Sequence, residues 1–187
     1  MKKHIFIAIR LTITCVLLLV VLYSACITLI AQAAPQNGKG ERIMLGGKVV
    51  GYRLEGQNFS ADRYFNGRPS AAGYNAAGSS GSNKGPGNSN YLREVQERID
   101  SFLVHNPGIS KSEIPAELVT ASGSGLDPDI SPAAANVQVR RVAASRKVDE
   151  QKLFALVARH TKSPLLGLFG PARVNVLSLN LALDSLR

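Results

Sequence analysis

Asp127 and Asp129 flank Pro128, a spacing at which two carboxylates could hold a cation through oxygen. A D-P-D sequence is more often a turn that leads to a helix cap. Just upstream, Gly123-Ser124-Gly125 opens like a dinucleotide fingerprint, but the third glycine is missing and no clear βαβ unit surrounds it. The run Gly78 to Lys84 (GSSGSNK) suggests a phosphate loop, yet it lacks the Gly-Lys-Ser/Thr ending, so a P-loop ATPase site finds no support. Several serines exist without a local Ser-His-Asp or Cys-His arrangement. His4, His105 and His160 are scattered with no ligand spacing, and each reads as solvated or capping rather than as a zinc ligand. Asn58-Phe59-Ser60 fits a glycosylation sequon, a three-residue match that chance often supplies.

Arg140, Arg141, Arg146, Lys147, Lys152, Arg159 and Lys162 form a basic stretch over two expected helices. Its ordinary reading is a solvated helical face; its functional reading is a docking face for an acidic partner. The chain carries 22 Lys and Arg against 13 Asp and Glu, and three of the basic residues precede Ala34. The remainder therefore has 19 basic and 13 acidic residues, an excess compatible with an acidic partner or anionic lipid. There is no Trp and no basic stripe with interleaved rings, which argues against nucleic acid.

The elements that must position these residues begin with a strongly apolar segment. Leu11 to Ala34 is uncharged, and roughly 20 helical residues suffice to cross a bilayer core. Ala31-Gln32-Ala33 resembles a signal-peptidase site and Tyr23-Ser24-Ala25-Cys26 a lipoprotein box, but the apolar run exceeds a usual signal core, which favours a retained span. Lys2, Lys3 and Arg10 place residues 1–10 in the cytoplasm, with 11–34 as the transmembrane helix and 35–187 outside. Cys15 and Cys26 both fall in the span, about 16 Å apart along a helix, too far for one disulfide.

Beyond the span, Lys48 to Leu54 reads as a strand after the Gly46-Gly47 turn. Leu92, Val95, Ile99, Phe102 and Leu103 mark one face of an amphipathic helix over Tyr91 to His105. Ile114 to Thr120 reads as extended. Ser131-Pro132 opens a helix to about Ser145, and Asp149 caps another with Leu153, Leu156 and Val157 inward. Val174 and Val176 alternate with Arg173 and Asn175 as a strand, and a final helix follows from Leu177. The fold class is α+β, one N-terminal transmembrane helix followed by a single extracytoplasmic domain with more helix than strand.

The blocks GQNFSADRYFNGRPSAAGYN, SSGSN, ELVTASGSGLDPDISPAAA, RRVAASR and VNVLSLNLALD, in this order, resemble the C subunit (KdpC) of the bacterial Kdp potassium-transporting P-type ATPase. The resemblance runs from about Leu11 to the C-terminus. It implies a single-span inner-membrane subunit without a catalytic site of its own, part of a high-affinity potassium uptake pump. Its implied partners are a potassium-translocating subunit, an ATP-hydrolysing subunit and a small membrane peptide. It also implies a role as assembly factor and catalytic chaperone that raises the ATP affinity of the hydrolysing subunit. No cofactor of its own is implied; ATP is hydrolysed by the partner.

The signature residues carried over are Tyr64, Gly67, Arg68, Pro69, Ser70, Ser80, Gly81, Asn83 and Asp127, with Tyr64 and Arg68 anchoring an ordered surface loop. Three departures stand out. Tyr23 is followed by Ser24 rather than Pro, the segment PQNGKGERI after the span is short and charged, and Ser79 precedes Ser80-Gly81-Ser82-Asn83 where relatives often have Ser-Gly-Gly-Ser-Asn. The last weakens any analogy with a nucleotide-contacting loop. A domain outside the membrane cannot meet cytoplasmic ATP, so an effect on ATP affinity must pass through the anchor or the partners as a coupling free energy. The alternative class is an anchored or secreted cell-envelope enzyme or binding module. A reporter that works only outside the cytoplasm, fused after Arg187, is expected to be active; an inactive one reverses the orientation.

Overall fold

No proline or glycine interrupts Lys2 to Ala33, and the chain forms helix throughout. In the computed structural model, α1 (Lys2–Cys15), a wider π-helical stretch (Val16–Leu22) and α2 (Tyr23–Ala33) follow one another without a break. The structure describes residues 2–186. Met1 and Arg187, at the outer ends of the expected cytoplasmic and external segments, lie outside the described residues, as do the side chains of Lys2 and Pro35. Lys3 to Ala33 is 31 residues with a mean hydropathy of 2.8 in its most apolar window, long and apolar enough to cross a membrane. At 1.5 Å per residue it measures about 46 Å, longer than a hydrocarbon core of about 30 Å. The helix thus extends beyond the expected Leu11 boundary and includes Arg10. Thr14 and Thr28 return their hydroxyls to the carbonyls of Arg10 and Ser24, which satisfies them without water. Ala34, extended ahead of Pro35, ends the helix.

The chain forms two compact units, Met1–Arg42 and Ile43–Arg187. Strands β1 (Arg42–Leu45) and β2 (Lys48–Tyr52) pair across Gly46-Gly47, both at positive φ. The second strand stops at Tyr52, two residues short of the expected Leu54. Helix α3 spans Ser89–His105 and is capped by the Asn88 side chain. Its expected face is only half-buried, and Leu92 lies exposed. Ile114 to Thr120 is not extended. Two 3-10 turns, Lys111–Glu113 and Ala116–Leu118, occupy this region. Pro115 starts the second turn, and the Thr120 N–H and hydroxyl both close back on the Ala116 carbonyl.

The core assembles from a small antiparallel sheet and four helices. Strands β3 (Asp129–Ile130), β4 (Thr161–Lys162) and β5 (Arg173–Asn175) are ordered β3-β5-β4, with Ile130 and Thr161 both opposite Val174. Ser131 accepts from the Ala134 N–H and Pro132 opens α4 (Pro132–Asn136), as expected. The helix does not continue unbroken to Ser145: it tightens at Val137-Gln138 before α5 (Val139–Arg146). The Gln138 side chain takes the Ala134 carbonyl, while its own N–H turns to Ala135. Helix α6 (Glu150–His160), capped by Asp149, buries Leu153, Leu156 and Val157 as expected. Val176 is not a strand residue. Asn175 caps a helix there, accepting from the Ser178 N–H and hydroxyl, so α7 (Val176–Ser185) starts one residue early. Phe65, Ile130, Val139, Val142, Leu153, Leu179 and Leu183 meet in the centre. Helix makes up 51% of the chain and strand 10%, the α+β balance read from the sequence.

Arg141 departs from the expectation of a solvated basic face. Its side chain is 3% exposed. Nη1 donates to the carbonyls of Asp62 (2.7 Å) and Tyr64 (3.0 Å), Nη2 to Asn66 Oδ1 (2.6 Å) and Gln138 Oε1 (2.7 Å), and Nε to Asn106 Oδ1 (3.0 Å). Burial pushes the guanidinium pKa down, and the Asp62 carboxylate at 3.8 Å opposes that shift. Arginine remains charged nonetheless. Arg141→Ala would take a donor from each of these acceptors, and only Gln138 Oε1 keeps another partner named here, the Asn66 N–H. It is expected to destabilise the protein by about 1–3 kcal/mol for each buried acceptor left unsatisfied, and Arg141→Lys should recover little of that, because an ammonium lacks the planar fork. Urea unfolding of the detergent-solubilised chain, followed by circular dichroism, measures both.

Candidate interaction surface

Phe59 to Ser70 belongs to no sheet and enters the core only at Phe65, so the peptide groups there need other partners. Two side-chain amides supply them. Asn180 on α7 accepts from the Phe65 N–H and donates to the Phe65 carbonyl, both at 2.9 Å. Gln138 does the same for Asn66, at 2.8 and 3.2 Å. Asn66 Nδ2 in turn donates to the Phe59 carbonyl. Phe65, fully buried, is thereby fixed, and the chain leaves the core at Gly67 in a set direction.

Beyond Gly67 the signature residues lace two loops together. Arg68 Nη1 lies 3.1 Å from Asp127 Oδ2. The Pro69 carbonyl accepts from the buried Ser122 N–H. Ser70 Oγ donates to the Gly125 carbonyl at 2.5 Å and accepts from the N–H groups of Ala72 and Tyr74. Tyr74, absent from the expected signature, donates its hydroxyl to the Arg68 carbonyl at 2.7 Å, and burial pushes its pKa up. Ser79 Oγ reaches the Ser124 carbonyl. A Cβ on Gly81 would stand 2.8 Å from the Gly123 carbonyl oxygen, and one on Gly125, at φ +70, 2.7 Å from that of Ser80. Asn83 is exposed at φ 52. Both loops are therefore ordered, and close backbone approach requires their glycines.

Tyr64 sits apart from this lattice. Its hydroxyl donates to Asp184, its ring packs on Phe59, and the guanidinium groups of Arg146 and Arg63 lie 5.0 and 5.1 Å from its centroid. The D-P-D carboxylates are occupied by the protein itself. Asp127 also accepts from the Asp129 N–H, while Asp129 meets Arg173 and Asn175. This is turn chemistry. The loop GSSGSNK stands on the Gly123-to-Leu126 backbone rather than opening a helix in the manner of a phosphate cradle.

An open groove of about 580 Å³ lies beside α3, lined by Asp62, Glu94, Arg98, Phe102 and His105 among others. Two side-chain contacts lie along it: Asp62 with His105 at 2.9 Å and Glu94 with Lys84 at 2.5 Å. The Lys84 hydrogen bond holds the Glu94 carboxyl below its ordinary pKa.

A sequence model described as "KdpC: K+-transporting ATPase, c chain" matches residues 5–185. The chain belongs to the KdpC family. Among its relatives, the potassium-transporting ATPase KdpC subunit of Flavobacterium johnsoniae is 51% identical over 185 residues, covering 99% of this chain and 100% of the relative. The KdpC subunit of Flavobacterium psychrophilum is 54% identical over 185 residues, with the same coverage. That of Gemmatimonas aurantiaca is 49% identical over 190 residues, covering 100% of this chain and 94% of the relative. The match includes the long apolar helix as well as the folded unit, and the quoted KdpC-like blocks are the ones the structure brings together.

The sequence reading did not single out the Asn66–Asn106–Gln138–Arg141 network. A signal was present, because Gln138 and Arg141 interrupt the apolar stripe of Ala134, Ala135, Val139 and Val142. Gly125→Ala forces a left-handed backbone and a clash with the Ser80 carbonyl, and is expected to cost about 1–3 kcal/mol. Hydrogen exchange at the Ser122 amide, which bridges the loops, should accelerate in Gly125→Ala and in Arg68→Ala but not in Lys84→Ala. Unchanged protection in the first two would mean that the loops are held independently.

Proposed function

We propose that this KdpC family member is a non-catalytic accessory subunit of a high-affinity potassium uptake pump, held in the inner membrane by one span. The N-terminus faces the cytoplasm and the folded unit faces outward. The span packs against the potassium-translocating subunit, and the folded unit stands near the potassium entrance. The ATP-hydrolysing subunit and a small membrane peptide complete the assembly. The chain promotes assembly and raises the ATP affinity of the hydrolysing subunit through the conformations of its partners, without a nucleotide site of its own.

The observation that carries this reading is the match from residue 5 to residue 185, which includes the apolar helix and the laced loops alike. The arrangement of the signature side chains supports a structural role: Arg68 pairs with Asp127, and Ser70 and Asp127 hold backbone groups inside the protein. Such groups position a surface rather than attack a substrate.

A strain lacking this chain but retaining the other pump subunits is expected to fail at limiting potassium and to grow normally when potassium is plentiful. Wild-type chain restores growth, Lys84→Ala restores it fully, and Arg68→Ala restores it less. Normal growth of the deletion strain at limiting potassium would overturn the accessory role.

A further inference from the structure

Between β4 and β5 the chain makes a short tip, Leu165 to Phe169, that breaks three local rules at once. The first concerns burial. Leu165, Leu166, Leu168 and Phe169 are 70%, 81%, 81% and 64% exposed, on a turn five residues long. Scattered exposed leucines need no explanation, but four adjoining large apolar side chains on one turn do.

The second concerns the backbone. Leu166 has φ 55 and Gly167 φ 74. A turn of this kind favours Asn, Asp or Gly at its first left-handed position, and a branched apolar residue there is strained. The turn is nevertheless closed on both sides: the Leu165 and Phe169 N–H groups each donate to the other's carbonyl, at 2.9 and 3.0 Å. Gly167 and Leu168 add bonds to Pro164 and Leu165.

The third concerns charge. At the base of the tip Lys162 stands directly opposite Arg173, a like-charged cross-strand pair. Arg173 has Asp129 at 3.4 Å. From Gln151 to Leu183 the sequence contains four Lys or Arg and no Asp or Glu.

Asp129 accounts for Arg173, but stability of the isolated chain explains neither the exposed tip, nor Leu166 in its strained position, nor Lys162. Each of them suits contact with something else. Places where a sequence breaks its local rules without local gain are where function is sought. We propose that the Leu165–Phe169 tip is a preformed knob that docks into an apolar socket with an acidic rim on another protein subunit of the pump. This rests on the reading of the chain as a pump subunit. A rigid turn fits a shaped socket, since a group held in its bound form loses little freedom on docking. A bilayer surface would need no such fixed shape. Lys162 faces the acidic rim, and its repulsion with Arg173 is relieved there.

The test uses the full chain expressed with the other pump subunits and purified in mild detergent. Leu166→Asn suits the left-handed turn better while removing the apolar contact, and Lys162→Glu turns the like-charged pair into an opposite one. Both variants are expected to keep or raise the thermal midpoint, yet to bring down the other subunits at least about tenfold less well. Leu54→Ser, at another exposed leucine, is expected to behave as wild type. Recovery of the other subunits undiminished in both tip variants would overturn the proposal.

A photo-reactive benzoylphenylalanine at position 169 is expected to form an adduct with another pump subunit. An adduct with lipid, with a second copy of this chain, or none at all would overturn it too. Wild-type chain that brings down no pump subunit would instead fail the subunit reading itself.

Discussion

One buried cation organises the folded unit. The Arg141 guanidinium reaches the two carbonyls of the Asp62-to-Tyr64 segment and the side chains of Asn66, Asn106 and Gln138. Taking a charge out of water is costly, and it is tolerated only where nearly every donor finds an acceptor. Here all three guanidinium nitrogens do. The network draws the Phe59–Ser70 segment, the end of α3 and the α4–α5 turn to a single point. Phe65 enters the interior on the very segment that Arg141 holds.

The amides of Asn180 and Gln138 solve a related problem. Phe65 is buried with no strand beside it, and its N–H and C=O groups must still be paired. Each amide offers one donor and one acceptor in nearly the geometry of a peptide group, so Asn180 and Gln138 stand in for a neighbouring strand at Phe65 and Asn66. Substitution by an apolar residue of similar size would keep the packing and lose the pairing. A segment held this way is rigid up to Gly67, and that rigidity passes to the loop lattice through Arg68, Pro69 and Ser70.

Local signals in the sequence were legible where they acted alone. The Ser131-Pro132 and Asp149 caps, the inward face of α6 and the long apolar helix follow from short-range rules. What the sequence hid depends on distant partners. Arg141 reads as one cation in a basic run, and only the carbonyls some 77 to 79 residues upstream make it a core residue. Ile114 to Thr120 has strand-like residues, but Pro115 and the Thr120–Ala116 closure turn it into 3-10 structure. The break at Gln138 comes from a side chain competing with its own backbone. The glycine-rich run around Gly81 has the composition of a tether, yet it is ordered because a second glycine-containing loop lies close enough to share backbone contacts.

These internal bonds limit how the folded unit can recognise anything. A side chain already committed to a partner inside the protein can contribute to a second surface only by giving up the first, at the desolvation cost of a buried polar group. The most recognisable residues of the family blocks are committed in this way, so their part in recognition is to hold shape. Contact energy must then come from groups with nothing to lose, exposed apolar side chains and exposed cations. A rigid unit presenting such groups binds one partner conformation better than another and shifts the balance between them without deforming itself. The size of that effect is bounded by the difference between its affinities for the two partner states.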